Sequence, residues 1–321
     1  MKKMRAAMTT NAGKFVICDV PIPEIGDEEL LLRVLVCGTC MSEMSAWSTG
    51  TAAVSIPGHE PVGVVEAVGC RVQGFSVGDR VTGMINSAYA EFTKAHYRNL
   101  IKVPNQISDV EGIGEPLSCL MSGAAATPVK LGDTAALVGC GFMGLGFIQL
   151  LKLKGVSKII AIDIREESLV NAKKYGASET YNPEKVPERY IVDTWNDRMF
   201  TNGVDVAVEV TGTQPGLTLA GRLPHAHGVL SIVGYHSTGN GRNVDMKLWN
   251  WKAITVINAH ERRNNVHLDN MRAVQRLIEQ GRLDVKSLYT HAFSLDEINL
   301  AFDYMKRKPE NYVKGYIRIA E

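Results

Sequence analysis

Three glycines in one short turn constrain the fold of this chain more than any other feature of its sequence. The segment AALVGCGFMG places Gly139, Gly141 and Gly144 in the spacing G-x-G-x-x-G. An apolar strand pattern precedes the turn and a helical pattern follows it, which is the context that a dinucleotide-binding motif requires. The first glycine makes the tight turn, the second lets the backbone approach a pyrophosphate, and the third allows close packing of helix on strand. A glycine-rich turn that binds nothing is the alternative interpretation.

An acidic residue follows this turn at the end of the next predicted strand. Asp163 stands 19 positions after Gly144. A carboxylate near that position hydrogen-bonds the hydroxyls of the adenosine ribose and disfavours a 2′-phosphate. The pattern therefore favours NAD over NADP as the cofactor. Arg165, two residues further on, is the side chain that would soften this preference or stack on adenine.

The pattern of predicted elements changes near Glu111. Before it, short apolar runs separated by Gly and Pro indicate a compact, mainly β domain, with strands predicted at 29–36, 62–68 and 78–83. After it, strands alternate with helices, which is typical of a doubly wound parallel sheet. The predicted strands are 135–138, 158–162, 204–210 and 229–234, and the helices are 143–154, 166–175 and 270–280.

The tail returns to short strands and one amphipathic helix near 295–306. We therefore predict an α/β protein of two domains. Residues 113–284 form a Rossmann domain with a doubly wound parallel sheet, and residues 1–112 and 285–321 form a mainly β domain.

Composition excludes several classes of protein. Among 321 residues, 35 are Lys or Arg and 34 are Asp or Glu, so the net charge of +1 gives no basic surface for nucleic acid or anionic membrane. Six cysteines are too few for a disulfide scaffold, and no apolar run is long enough to span a membrane. The N-terminus has no apolar segment typical of a secretory signal. We expect a reduced, cytoplasmic protein that binds neither nucleic acid nor membrane.

Three short motifs carry side chains that can bind a metal. They are GTCMSE with Cys40, PGHEPVG with His59, and GEPLS with Glu115. Taken singly, each side chain has an ordinary structural explanation. Together they offer sulfur, nitrogen and oxygen donors, which zinc accepts, and a catalytic zinc keeps three protein ligands and one open position. The spacing Cys37-x-x-Cys40 also matches a thiol redox motif, which is an alternative interpretation of this pair.

The order of these motifs, followed by the glycine turn, resembles the zinc-dependent medium-chain dehydrogenase/reductase family. In pattern it is closest to the polyol, butanediol and threonine dehydrogenase branch, and the likeness covers nearly the whole chain through YAEF, KVP, VDVAVEVTG, YTHAF and EINLAF. The resemblance implies a GroES-like catalytic domain beside the NAD-binding Rossmann domain. It also implies a catalytic zinc held by Cys40, His59 and Glu115. A shifted register would instead make Cys37 the ligand.

The resemblance assigns further roles near the metal. Ser42 corresponds to the hydroxyl that hydrogen-bonds the substrate oxygen and passes on its proton. Glu43 stands where the family usually has Asp and would orient His59 from outside the ligand set. Glu60 has either a structural role or one of moving onto the metal. Trp47 would form a wall of the substrate pocket or pack in the core.

The resemblance also implies the residues that bind cofactor and substrate. His260 would face the substrate or lie on a solvated dimer edge. We expect a homodimer or a homotetramer acting on a small polyhydroxylated molecule. The residues expected to contact NAD are Gly139, Gly141, Phe142, Met143, Gly144, Asp163, Arg165, Thr211 and Gly234.

Two departures from the family pattern affect the expected chemistry. Only TGMINSA, without a cysteine, stands where many members carry a four-cysteine lobe with a second zinc. We therefore expect one zinc per chain and no structural zinc. Ser45 occupies the position where alcohol-acting members often have a relay histidine. The proton would leave by another route, from Ser42 to the nicotinamide ribose hydroxyl and then to water.

The function expected from these features is hydride transfer between a secondary hydroxyl of a polyol, sugar or cyclitol and NAD, with zinc as the Lewis acid. Within the same family, a simple alcohol or an amino alcohol is the alternative substrate. A zinc-free quinone or enone reductase would not need the Cys, His and Glu set. A non-catalytic NAD-binding protein of this fold would be expected to have lost part of that set.

Overall fold

The computed structural model describes residues 2–237 and 241–320, which form two compact units. The first unit comprises the residues up to Cys119 and those from Arg262 onward, and the second comprises Leu120–Glu261. The α/β class predicted from the sequence is confirmed, because the first unit is mainly β and the second is a parallel sheet with helices.

The first unit contains two sheets. A hairpin-like pair consists of β1 (Lys3–Met8) and β2 (Val16–Pro21). The larger sheet has seven strands, which are β3 (Glu29–Gly38), β4 (Pro61–Val68), β5 (Arg80–Gly83), β6 (Phe92–His96), β7 (Leu100–Lys102), β14 (Tyr289–Ser294) and β15 (Lys314–Arg318). Its order is β14-β15-β3-β4-β5-β7, and β6 pairs with β3.

Strand β3 is the centre of this sheet because it pairs with β15, β4 and β6, and alternate side chains are buried over most of its length. It pairs antiparallel with both β4 and β15, so the end of β3, the start of β4 and the start of β15 come together at one end of the sheet. Helices α1 (Met44–Thr49), α7 (Asn264–Glu279) and α8 (Ile298–Arg307) also belong to this unit. Helix α8 packs its buried face, which includes Ile298 and Phe302, against the sheet.

The second unit contains a parallel sheet of six strands in the order β10-β9-β8-β11-β12-β13. These strands are β8 (Thr134–Val138), β9 (Lys158–Ile162), β10 (Glu179–Tyr181), β11 (Val204–Glu209), β12 (Pro224–Ile232) and β13 (Thr255–Asn258). The helices are α3 (Phe142–Leu153), α4 (Glu166–Tyr175), α5 (Gln214–Arg222) and α6 (Met246–Lys252). Helix α2 (Gly114–Ala126) contains the division between the units.

The units divide at positions other than those predicted from the sequence. The divisions lie at 119/120 and 261/262 rather than at 112/113 and 284/285. Helix α7 begins at Asn264, before the predicted start at 270, and groups with the first unit. Its buried face places Leu268 and Met271 against Ile101 of β7. A helical pattern shows which face is buried but not which sheet buries it, so the sequence could not assign α7 to its unit.

Among residues 2–237 and 241–320, no helix has both the length and the apolar character needed to cross a membrane.

Candidate metal centre and dinucleotide site

Cys40, His59 and Glu60 come together at the end of the large sheet of the first unit. Cys40 follows β3, and His59 and Glu60 immediately precede β4. One ligand atom from each residue lies within 4.8 Å of the other two. Cys37, the alternative ligand, is fully buried at the end of β3 in the hydrophobic core. Of the two cysteines, Cys40 is therefore the one that lies beside His59 and Glu60, and its role as a metal ligand stays a prediction.

Glu43 holds the imidazole of His59 in place. Its Oε1 lies 3.1 Å from Nδ1 of His59 and accepts a hydrogen bond of 2.7 Å from the backbone N–H of Gly58. Its Oε2 accepts a hydrogen bond of 2.7 Å from the hydroxyl of the fully buried Tyr89. With Nδ1 engaged by Glu43, Nε2 is the nitrogen left for a metal.

The surroundings of His59 are strongly negative. Burial lowers the pKa of His59, but hydrogen bonds to Cys40 and Glu43 and the charges of Glu43 and Glu60 outweigh burial and raise the pKa to about 12. An environment that stabilises a positive imidazolium also attracts a divalent cation, which would take the place of the proton. The sulfur, nitrogen and oxygen donors fit the preferences of zinc.

Lys314 neutralises part of this charge from the first residue of β15. Its Nζ lies 3.1 Å from Oε1 and 2.8 Å from Oε2 of Glu60, and donates a hydrogen bond of 2.8 Å to the carbonyl of Thr39. Burial lowers the pKa of Lys314, while the charge of Glu60 raises it to about 12. The Lys314–Glu60 ion pair was not predicted from the sequence.

Glu115 stands in the first turn of α2, and its ligand atoms do not join the compact group formed by Cys40, His59 and Glu60. The thiol of Cys119, one turn further along α2, lies 3.5 Å from Oε1 of Glu115. Burial and the charge of Glu60 raise the pKa of Glu115, whereas His59 lowers it. Glu115 is therefore electrostatically part of the site, and its direct binding to a metal remains a prediction.

Ser42 and Trp47, two further residues of the predicted site, lie in different surroundings, one exposed and one buried. The exposed Ser42 directs its hydroxyl to Sγ of Cys40 at 3.2 Å, so it adjoins the metal-facing thiol. Trp47 is buried, packs on Phe302, and donates its indole N–H to Asn299 at 3.1 Å. The pocket-wall interpretation of Trp47 therefore gives way to the core interpretation.

The glycine turn of the second unit has the geometry that its sequence predicts. Gly139 follows β8 with φ of +104°, and a Cβ on it would lie 2.8 Å from Cγ2 of Thr211. A Cβ on Gly144 would lie 2.0 Å from the carbonyl oxygen of Gly139. Apart from atoms of Gly141 and its two chain neighbours, no described atom lies within 4 Å of the Cβ position of Gly141, which leaves room for a ligand to approach. Phe142 and Met143 begin α3, whose N-terminus faces this space.

Asp163 follows β9 and supports the same turn. Its Oδ2 accepts a hydrogen bond of 2.7 Å from the backbone N–H of Cys140, and its Oδ1 accepts one of 2.8 Å from that of Arg165. The guanidinium of Arg165 pairs with Glu167 at 3.0 Å. Each oxygen of Asp163 keeps a second lone pair that can accept from a ribose hydroxyl.

Gly234 and His260 lie at the carboxyl ends of β12 and β13. The backbone N–H of Gly234 donates to the carbonyl of Glu209, and Nε2 of His260 lies 3.3 Å from the carbonyl of Gly234. The ring of His260 makes an edge contact with Tyr235 at 6.0 Å between centroids. His260 thus contacts the segment that follows β12.

Comparison with known proteins matches both units. Residues 26–138 match the family described as alcohol dehydrogenase GroES-like domain, and residues 143–276 match the family described as zinc-binding dehydrogenase. A sorbitol dehydrogenase from Bacillus subtilis is 30% identical over 273 residues, covering 74% of this chain and 76% of the relative.

Two solved structures superpose on nearly the whole chain. The 2R,3R-butanediol dehydrogenase from Bacillus subtilis has a TM-score of 0.82 at 25% identity, covering 98% of this chain and 99% of that one. A zinc-binding dehydrogenase from Sinorhizobium meliloti 1021, crystallised with NADP, has a TM-score of 0.86 at 24% identity, covering 99% and 100%. The second likeness supports the fold alone.

Proposed function

Because this chain belongs to the family of zinc-type, GroES-like alcohol dehydrogenases, we propose that it transfers hydride between a secondary hydroxyl of a polyol, sugar or cyclitol and NAD. As a member of this family, the protein is an oxidoreductase. The substrate class, the choice of NAD and a single zinc per chain are the parts that we propose.

The observation that carries the proposal is the donor group of Cys40, His59 and Glu60, whose ligand atoms lie within 4.8 Å of one another. One soft sulfur, one imidazole nitrogen and carboxylate oxygens are a donor set typical of zinc. We propose that Cys40 and His59 bind the zinc, and that Glu115 or Glu60 supplies the carboxylate ligand. When bound, zinc supplies a Lewis acid for an alcohol oxygen, and the nicotinamide supplies a hydride acceptor.

Ser42 is the residue that we propose to receive the proton of the substrate hydroxyl. Its Oγ lies 3.2 Å from Sγ of Cys40, so it would stand next to an alcohol oxygen held at the metal. Ser42 is exposed, and its hydroxyl can therefore pass the proton onward to a neighbouring hydroxyl or to water. This route does not need a histidine at position 45.

Contacts of Glu43 with His59 and of Lys314 with Glu60 keep the metal-facing side chains in position. Glu43 fixes the ring of His59 and leaves one nitrogen for the metal. Lys314 holds Glu60 through contacts of 2.8 and 3.1 Å, which balances the charge of a carboxylate that is otherwise buried. We propose that this balance keeps the centre close to neutral when the metal is bound.

The substrate class rests on the names of the relatives. A sorbitol dehydrogenase is the 30% identical relative, and a 2R,3R-butanediol dehydrogenase is among the matching structures. Both names denote substrates with neighbouring hydroxyl groups. We therefore propose that this chain oxidises one hydroxyl of a molecule that carries several.

The choice of NAD rests on Asp163. Its carboxylate contacts the glycine turn through the N–H of Cys140, so it lies where a dinucleotide on that turn would place its adenosine ribose. The guanidinium of Arg165 lies 3.0 Å from Glu167, which partly balances its charge. A 2′-phosphate at that ribose would be repelled by the carboxylate of Asp163.

Turnover on a substrate panel tests the proposal. Purified enzyme is assayed with NAD and NADP against sorbitol, xylitol, myo-inositol, 2,3-butanediol, ethanol and L-threonine, before and after removal of metal by a chelator. We expect chelator-sensitive, NAD-linked oxidation of a polyol or cyclitol. Activity only with ethanol or L-threonine would reject the substrate class, and undiminished activity after complete removal of zinc would reject the metal role.

A further inference from the structure

Glu209 is a fully buried carboxylate at the end of β11 that the proposed chemistry does not use. Its Oε1 accepts hydrogen bonds from the backbone N–H groups of Thr211 and Gly212, at 2.6 and 2.9 Å. It also accepts one of 2.5 Å from the hydroxyl of Thr211. One carboxylate oxygen therefore fixes the whole turn that follows β11.

The second oxygen of Glu209 contacts the segment that follows β12. Oε2 lies 2.9 Å from Nε2 of His236, and Nδ1 of His236 lies 2.9 Å from Nε of Arg242, which donates to it. Since Nδ1 accepts, the ring proton lies on Nε2 and is donated to Glu209. Arg242 also donates from Nη2 to the carbonyl of Gly212 at 3.0 Å, which closes the chain of contacts back on the same turn.

Close packing leaves this arrangement little freedom. A Cβ on Gly234 would lie 2.4 Å from Oε2 of Glu209 and 2.4 Å from the backbone nitrogen of Gly212. The turn at Thr211 also touches the glycine turn, because a Cβ on Gly139 would lie 2.8 Å from Cγ2 of Thr211. We call Glu209, His236 and Arg242 the clamp.

The clamp lies where an open parallel sheet binds its ligand. Strands β9 and β10 follow β8 on one side of the sheet, whereas β11, β12 and β13 lie on the other side. Ligands bind outside the carboxyl ends of the strands at such a reversal of strand order. Glu209 ends β11, the strand that borders β8 at this reversal.

The two halves of a dinucleotide take opposite sides of this reversal. Asp163 follows β9, so the adenosine ribose belongs on the β9 side. The pyrophosphate belongs at the N-terminus of α3. The nicotinamide half would then bind on the side of β11 and β12, where the clamp holds the backbone after each of these two strands.

We propose that the clamp positions the wall that receives the nicotinamide half of the cofactor, and that His236 is its central positioning residue. This inference rests on the proposed use of a nicotinamide dinucleotide. Loss of the clamp would loosen the turn at Thr211–Gly212 and the segment after β12 together. The nicotinamide half would bind less tightly, while the adenosine half would be unaffected.

The same two strands offer a matched control at their other end. Nε2 of His225, in the first residues of β12, lies 3.1 Å from Oδ1 of Asp205, in the first residues of β11. The His225 pair joins the first residues of β11 and β12, whereas the His236 pair joins the carboxyl end of β11 to the segment that follows β12. A purely structural role of His236 would make His236→Ala affect NADH and AMP alike, as a general loss of folded protein would.

The test measures two ligands on the zinc-containing protein. NADH binding is followed by the fluorescence of the bound coenzyme, and AMP, which carries only the adenosine half, is measured by calorimetry. We expect His236→Ala to weaken NADH binding about tenfold or more, since a buried charge-assisted hydrogen bond is lost. AMP binding should stay within about twofold of wild type, as for an independent site. His225→Ala should leave both ligands within about twofold.

Two milder variants keep the test decisive if His236→Ala fails to fold. His236→Gln retains a donor for Glu209 and should recover most of the NADH affinity. Arg242→Met removes the contacts to His236 and Gly212 and should weaken NADH but not AMP. Parallel losses of NADH and AMP, unchanged NADH binding in Arg242→Met and His236→Ala, or an equal loss in His225→Ala would overturn the clamp. A wild-type protein that binds neither ligand would instead overturn the proposed cofactor.

Discussion

The carboxylate of Glu43 lies 3.1 Å from Nδ1 of His59, and the same carboxylate accepts hydrogen bonds from the backbone N–H of Gly58 and the hydroxyl of Tyr89. Glu43 therefore cannot rotate away from the imidazole without breaking two further hydrogen bonds. The ring of His59 is fixed before any metal arrives, and such preorganisation lowers the cost of binding the metal.

Replacing Glu43 by Gln should weaken zinc binding by about 10- to 100-fold, because the amide is a poorer partner for the imidazole. Competition with a chromophoric chelator measures the affinity. Tyr89→Phe is the matched variant, because it removes one support of Glu43 and leaves the contact with His59. We expect a smaller loss there, and a larger loss in Tyr89→Phe than in Glu43→Gln would show that Glu43 does not act through His59.

Replacing Lys314 by Met should destabilise the protein strongly, because Glu60 would keep a buried charge without its partner. Breaking one side of a buried ion pair costs about 3–5 kcal/mol. Urea unfolding of the zinc-containing protein measures the loss, and Lys314→Arg, which keeps the charge, should lose much less. Equal stability of the Met variant and wild type would show that Glu60 does not depend on Lys314 for its charge balance.

The metal-facing residues divide into those that sequence can find and those that it cannot. Cys40 and His59 stand in short motifs whose order resembles that of the family, so the sequence alone could propose them as metal ligands. Lys314 meets Glu60 across 254 positions, and it does so only because β15 and β4 both pair with β3. The sequence around Lys314 contains no local pattern that indicates an ion pair with Glu60.

The same distinction applies to the fold. The glycine turn and the alternation of strands and helices are local patterns, and the parallel sheet followed from them. Trp47 shows the limit, because a large aromatic seven positions after Cys40 fits a pocket wall or a core equally well. Its burial against Phe302 depends on where α8 packs, which the periodicity of α8 alone does not specify.

Asp163 should decide between the two nicotinamide cofactors. A carboxylate at the adenosine ribose loses a charge-assisted hydrogen bond to NADP and repels its phosphate, so we expect a preference for NAD of at least about a hundredfold. Asp163→Ser should narrow this preference sharply, and the kcat/KM values with each cofactor measure it. Glu166→Ser, an exposed acidic residue of α4 three positions away, should leave the preference unchanged. Equal use of both cofactors by wild type would show that Asp163 does not face the ribose.

Glu179 should give the second unit part of its acid sensitivity. Burial raises the pKa of Glu179, but hydrogen bonds from Lys158, Tyr181 and Tyr190 outweigh it and lower the pKa to about 2. A carboxyl group whose pKa is lower in the folded state stabilises the protein above its unfolded pKa near 4.5, and this stability is lost as the pH falls toward about 2.

Urea unfolding at a series of pH values tests this prediction. Glu179→Gln should be less stable than wild type at neutral pH, and the difference should shrink as the pH falls below about 4.5. Glu184→Gln, at an exposed position nearby, should follow the wild-type profile. A constant difference between Glu179→Gln and wild type across this range would show that the ionised carboxylate is not the source of the stability.

We propose that this chain holds one zinc ion at Cys40 and His59. Elemental analysis of protein purified without added metal tests it most directly, with wild type and His59→Ala analysed side by side and their folds compared by circular dichroism. We predict about one zinc per chain in wild type and close to none in a folded His59→Ala protein. Two tightly held zinc ions per chain, or a His59→Ala protein that retains its zinc, would contradict the claim.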